Sequence, residues 1–249
     1  MLRTALGVAR SLRIYYGQPT RARAMDRLYA QFIADGDLAF DIGAHVGDRI
    51  ASFGRLGARV VAVEPQPALY RTLRLLYGRD PRVALMPAAV GRTPGIAEMK
   101  INPANPTIST LSDAFIVASR GAAGWQGESW PQAITVPVTT LDALIAAHGR
   151  PAFIKLDVEG FEAEALAGLS QTVPALSFEF TTIQRAVALA CLERCTALGY
   201  TEFAAALGES QALGSWRDAR AMADWLTELP DETNSGDVYT RAPYSLRPV

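Results

Sequence analysis

Asp41-Ile42-Gly43-Ala44-His45-Val46-Gly47 follows the short apolar run Leu38-Ala39-Phe40 and precedes an apolar-periodic stretch. That order reads as a turn between a buried strand and a helix, where glycines let a ligand approach the backbone and amide N–H groups point outward. A dinucleotide-binding turn reads G-x-G-x-x-G, with pyrophosphate resting on the helix N-terminus. Here an aspartate stands where the first glycine would be. A carboxylate at that spot repels a pyrophosphate and attracts a cation, so sulfonium and amino groups are the candidate ligand chemistries and phosphate is not.

Outward from this turn, apolar runs of strand length alternate with helix-periodic stretches, which predicts an α/β fold with a mostly parallel sheet. Strands are expected from Leu38 to Ile42, Val60 to Glu64, Val83 to Met86 (with Ala88 to Val90), Phe153 to Asp157 and Leu176 to Phe180. Two later ones are expected at Tyr200 to Ala204 and Asp237 to Arg241. Helices fall between them, around Ile50 to Leu56, Leu69 to Tyr77, Glu162 to Leu169 and Gln184 to Leu198. With no repeat and no low-complexity linker, residues 37–249 read as one domain, preceded by a helical arm at 1–36. Residues 91–137 are the exception, because prolines 94, 103, 106, 131 and 137 and several glycines argue for an irregular insert or lid. Trp125 and Trp130 within it need something to pack on and are candidate substrate contacts.

The 249 residues are 49% apolar and 20% charged, an ordinary globular composition. A net charge of −1 gives no global attraction to nucleic acid or a membrane surface, and no apolar run reaches the ~20 residues of a membrane helix. The first 27 residues carry six arginines without the apolar core of a signal peptide. They read as a helical arm with its arginines solvated. Cys191 and Cys195 suit neither a zinc site nor a redox pair and read as small residues on a packed helix face, which fits a reducing cytoplasm. Lys100 and Lys155 are the only lysines. Arginine in place of lysine with abundant alanine points to a GC-rich bacterial genome. A homo-oligomer is compatible with all of this.

In an open parallel sheet, ligands bind beyond the carboxyl ends of the strands. The polar groups at those ends form a set: Asp41, Glu64, Lys155, Asp157, Glu159 and Glu179. Glu64, about 20 residues after the glycine turn, stands where an acidic residue accepts hydrogen bonds from a ribose diol. Lys155-Leu156-Asp157-Val158-Glu159 alternates, so its three ionisable side chains share one face of the strand. Left unpaired and buried they would be costly, so they pair with one another or face a solvated cleft.

Taken in order, Phe40-Asp41-Ile42-Gly43-Ala44-His45-Val46-Gly47-Asp48, Val63-Glu64-Pro65, Ala88-Ala89-Val90-Gly91, Thr140-Leu141-Asp142 and Ile154-Lys155-Leu156-Asp157-Val158-Glu159-Gly160-Phe161-Glu162 resemble the FkbM family of S-adenosylmethionine-dependent methyltransferases. The resemblance runs from about residue 37 to 180. It implies the Rossmann-like class I methyltransferase fold: a mostly parallel seven-stranded sheet, helices on both faces and a reversed last strand. It also implies O-methylation of a hydroxyl on a sugar, polyketide or other small acceptor. The family pattern commonly carries asparagine where this chain has His45, which bears on the detail of the loop.

Carried over residue by residue, Asp41, Gly43, Ala44, His45 and Gly47 fall on the cofactor loop, Glu64 and Pro65 at the ribose, and Ala89 and Val90 near adenine. Asp157 falls beside the methyl donor. Asp157 or Glu159 is then the expected base for the acceptor hydroxyl, with Lys155 setting their charge and Glu179 near the substrate. Asp157, Glu159 and Glu179 are an oxygen set suited to magnesium, but with no paired histidines the expectation is no metal. An NAD-dependent oxidoreductase would share the fold and Glu64 yet need glycine at position 41. A non-catalytic relative would not need Lys155, Asp157 and Glu159 together.

Overall fold

The computed structural model describes residues 2–243; Met1 and residues 244–249, the outer ends of the two expected units, lie outside the described residues. Two helices precede the first strand, α1 (Leu2–Tyr16) and α2 (Pro19–Tyr29). Pro19 opens α2 at a position where no N–H donor is needed. Met25, Leu28 and Tyr29 of α2 join a core with residues of the sheet. Strands and helices then alternate through β1 (Leu38–Ile42), α3 (Asp48–Arg55), β2 (Arg59–Val63), α4 (Pro67–Tyr77) and β3 (Val83–Met86). β1 is buried along its whole length, as a central strand covered on both faces must be. Ala39 faces the α2–α3 layer with Val60 and Phe153, while Phe40 and Ile42 face the opposite layer.

The stretch 91–137, expected to be irregular, instead carries β5 (Gly95–Ile101), α5 (Asp113–Ser119) and most of β6 (Gln132–Thr139), just after the expected short strand β4 (Ala89–Val90). These strands form a second sheet in the order β4-β6-β5, with Ala89, Met99, Ile101 and Val136 as its small core. The prolines mislead because they stand at element ends: Pro94 precedes β5, Pro103 and Pro106 follow it, and Pro131 precedes β6. Pro137 lies inside β6, but opposite β5 only, since β4 reaches no further than Val138. Along that open edge a missing donor is tolerated.

The chain continues through α6 (Leu141–His148), β7 (Phe153–Leu156), α7 (Glu162–Ala167), β8 (Ala175–Thr181), α8 (Arg185–Ala197), β9 (Glu202–Leu207), α9 (Ala219–Glu228) and β10 (Ser235–Arg241). The main sheet has seven strands in the order β3-β2-β1-β7-β8-β10-β9, and β10 runs antiparallel to both its neighbours. It is the seven-stranded, mostly parallel sheet with a reversed last strand. Strand order turns back on itself between β1 and β7, so a crevice opens beyond their carboxyl ends. Cys191 and Cys195 are free and buried in α8. Among the described residues, no helix is long and apolar enough to cross a membrane.

Candidate active site

The loop leaving β1 is pinned to β2: the Gly43 and Ala44 amides donate to the Val63 carbonyl at 2.9 and 3.0 Å. Gly43 has φ +83°, and a Cβ there would overlap the Asp157 carbonyl oxygen, so the β1 turn passes directly against the one after β7. Gly47, also left-handed at φ +85°, is the N-cap of α3. Between them the His45 amide donates to Glu64 Oε2 at 2.9 Å, while Glu64 Oε1 accepts from the Gln66 amide at 2.8 Å. Burial pushes the Glu64 carboxyl up to about 8, against the pull of those two amides.

Asp41 is 2% exposed, and its Oδ2 has no hydrogen-bond partner among the described residues. Burial lifts its carboxyl to about 7, with Arg49 opposing and Asp48 adding to the rise. The His45 ring stands edge-on to Tyr15 and its Nε2 lies 3.3 Å from Thr107 Oγ1. Burial drops that imidazole to about 4, so it is neutral near pH 7.

At the end of β7, the fully buried Lys155 donates to Asp237 Oδ1 of β10 at 2.8 Å and to Asp157 Oδ2 at 3.1 Å. Burial alone would raise Asp157, but Lys155 and then Arg49 outweigh it and hold the carboxyl below its usual range. Glu159 moves the other way, raised by burial and then by the neighbouring charges of Asp157 and Glu162. It sits at φ +55°, with its carbonyl held by the Thr110 hydroxyl at 2.6 Å. Glu179 is raised by burial, Asp157 and Glu159. Carboxylate oxygens of Asp157, Glu159 and Glu179 lie within 4.8 Å of one another. Glu162 Oε1 accepts from the Val158 amide at 2.9 Å, and so ties the following loop in place.

Most of these groups line one cleft of roughly 860 Å³, its open mouth included, a size that suits a nucleoside-sized ligand. A family model described as the methyltransferase FkbM domain matches residues 41–228. The chain belongs to the FkbM methyltransferase family.

Similar solved structures include a precorrin-6Y C5,15-methyltransferase from Geobacter metallireducens, at 12% identity over 90% of this chain and 88% of that one, with a TM-score of 0.43. A TehB-like SAM-dependent methyltransferase from Corynebacterium glutamicum is 13% identical over 88% and 87%, with a TM-score of 0.44. Fibrillarin from Aeropyrum pernix, crystallised with natively bound S-adenosyl-L-methionine, is 10% identical over 88% and 73%, also at 0.44. At such identities and scores the likeness is one of general chain path, and nothing about the site follows from it. No match was found among curated proteins.

In this FkbM methyltransferase, Asp41, Gly43, Ala44, His45, Glu64, Pro65, Ala89, Val90, Asp157, Glu159 and Glu179 all line the cleft. Four of the expected residues do not. Gly47 caps α3, and Lys155 lies behind the carboxylates it neutralises. Trp125 and Trp130, the candidate substrate contacts, bound a separate cavity. Their indole N–H groups are satisfied by Asn234 Oδ1 at 3.1 Å and the Ile108 carbonyl at 2.7 Å, and both rings pack edge-on to Phe115. They prop the insert and do not wall the site.

Residues missed by the sequence reading include Arg49, Tyr15, Thr107, Phe161 and Glu209 in the lining and Asp237 behind it. Arg49 had a local signal, since it stands in the first turn of the helix after the glycine loop. Tyr15, Glu209 and Asp237 had none. The arm's arginines are not all solvated either. Arg21, with a side chain 9% exposed, bonds Asp48 at 2.8 Å and Glu209 at 2.6 Å, and its guanidinium lies 4.8 Å from the Tyr15 ring centroid. Two ion pairs across the site's edge draw that side chain in from water.

Proposed function

We propose that this methyltransferase uses S-adenosylmethionine to O-methylate a hydroxyl on a small ring-shaped acceptor such as a sugar. The observation that carries the reading is Asp41: a buried carboxylate with an unsatisfied oxygen at the head of an acidic cleft calls for a cation, and the cofactor's ammonium is one. Fit to the group is supported elsewhere too. Both Glu64 oxygens already accept one amide each and keep a second lone pair for a ribose hydroxyl, while Ala89 and Val90 offer apolar surface for a base. Nothing in the loop cradles a phosphate, because the acidic residues crowd the position it would take.

When bound, S-adenosylmethionine supplies an electrophilic methyl group on sulfur. The remaining work falls to the chain's own residues. Asp157, kept ionised by Lys155 and Arg49, gives the site a fixed negative charge. Glu159, whose proton affinity is raised by burial and by the charges of Asp157 and Glu162, is the more basic carboxyl at the cleft and is the proton acceptor we assign to an acceptor hydroxyl. Tyr15, Phe161 and the neutral His45 ring supply flat, weakly polar walls that suit a sugar or ring.

The test has two parts. Calorimetry should show S-adenosylhomocysteine binding and no binding of NAD. Methyl transfer from labelled donor across a panel of hydroxylated acceptors should then give turnover, and Glu159→Gln should lower kcat about 10²-fold or more with cofactor affinity kept. Tight S-adenosylhomocysteine binding with product methylated only at nitrogen or carbon would overturn the O-methyl assignment.

A further inference from the structure

The cleft wall at the end of β7 gathers three carboxyl groups and too few cations to pair with all of them. Two cations stand nearby, and both are committed. Lys155 is shared between Asp157 and Asp237. Arg49 lies 3.1 Å from Asp48 and 3.7 Å from Glu209, and only 4.0 Å from Asp157. Glu159 and Glu179 have no cationic partner among the described residues, although their oxygens converge with those of Asp157 inside 4.8 Å.

Glu159 adds an independent observation. It is 7% exposed, and its carboxyl group accepts no hydrogen bond from any described residue. It lines the cleft with Asp157 and Glu179. Buried polar groups are almost always satisfied, and an exception asks for a ligand. Water or a shared proton can satisfy one carboxyl of such a group, but a hard dication satisfies all three at once.

We propose that Asp157, Glu159 and Glu179 bind one divalent cation of the oxygen-preferring kind, magnesium or manganese. One oxygen from each carboxyl occupies three positions of an octahedral shell, and water or acceptor oxygens fill the rest. Paired histidines are not required, since hard cations take carboxylates and water. Asp157 meets Lys155 through Oδ2, and an ion at Glu159 would displace the proton that this carboxyl otherwise holds, leaving it ionised. The site rests on the methyltransferase reading only for what the ion would do, namely orient an acceptor oxygen, and not for whether it binds.

Titration of the full chain with Mn²⁺, followed by electron paramagnetic resonance, should find one saturable site that Mg²⁺ competes for. Glu159→Gln and Glu179→Gln should each weaken Mn²⁺ binding at least tenfold while calorimetry shows S-adenosylhomocysteine still bound, which reports that the variant is folded. If one variant fails that control, the other carries the test. Absence of saturable Mn²⁺ binding, or binding that a folded variant leaves unchanged, would overturn the cation site. Mn²⁺ bound with S-adenosylhomocysteine unbound would keep the cation site and sink the cofactor reading instead.

Discussion

Asp41 carries a proton affinity raised to about 7 because burial removes water from a carboxylate that no described residue hydrogen-bonds. A bound ammonium favours the ionised form, so below about pH 7 binding must expel the proton and is weakened by it. Affinity for S-adenosylhomocysteine is therefore expected to rise with pH and to level off above about pH 8. Asp41→Asn should flatten that profile and weaken binding roughly 10- to 100-fold, the worth of one hydrogen bond to a charged group. Calorimetry across the pH range checks both, and a steep profile in the Asn variant would place the titrating group elsewhere. Asp41 and Glu64 were legible in the sequence because strand, glycine turn and next strand end are local features. Asp237, Tyr15 and Glu209 reach the site from β10, α1 and the segment after β9, and no spacing rule links positions so far apart.

Among the elements, the β1–α3 loop is the least forgiving. Gly43→Ala would force a side chain into a left-handed backbone and onto the Asp157 carbonyl, prising β1's turn from β7's. Both strands carry site residues, so the substitution should abolish detectable S-adenosylhomocysteine binding and lower Tm, by an amount equivalent to ~2 kcal/mol or more. Retained binding would mean that the two turns can separate freely. The parallel strands were readable because a strand buried on both faces is a continuous apolar run. The second sheet was hidden for the opposite reason. β5 and β6 are half exposed, so their apolar signal is thin, and the bounding prolines outweigh it.

At the scale of the whole molecule, several carboxyls hold protons in the fold that they would lose on unfolding: Asp41 at about 7, Glu64 at about 8 and Glu162 at about 7. Between roughly pH 4 and 8 these three bind more protons folded than unfolded and outnumber the opposite contribution of His45, which acts below about pH 6.5, so stability falls as pH rises through that window. Thermal melts of the free protein should show a declining Tm from about pH 5 to 8, and S-adenosylhomocysteine should restore more of it at the upper end. A Tm rising across the window would contradict the assigned direction.

β10 is the last strand of the described chain, yet it sits inside the sheet between β8 and β9, and it brings Asp237 to Lys155. While the chain is being synthesised, the slot between β8 and β9 stays open until residues 235–241 have emerged. Lys155 waits with one of its two carboxylates missing. A chain broken before Ser235 should therefore expose two raw strand edges, capture no S-adenosylhomocysteine and partition into aggregates on expression.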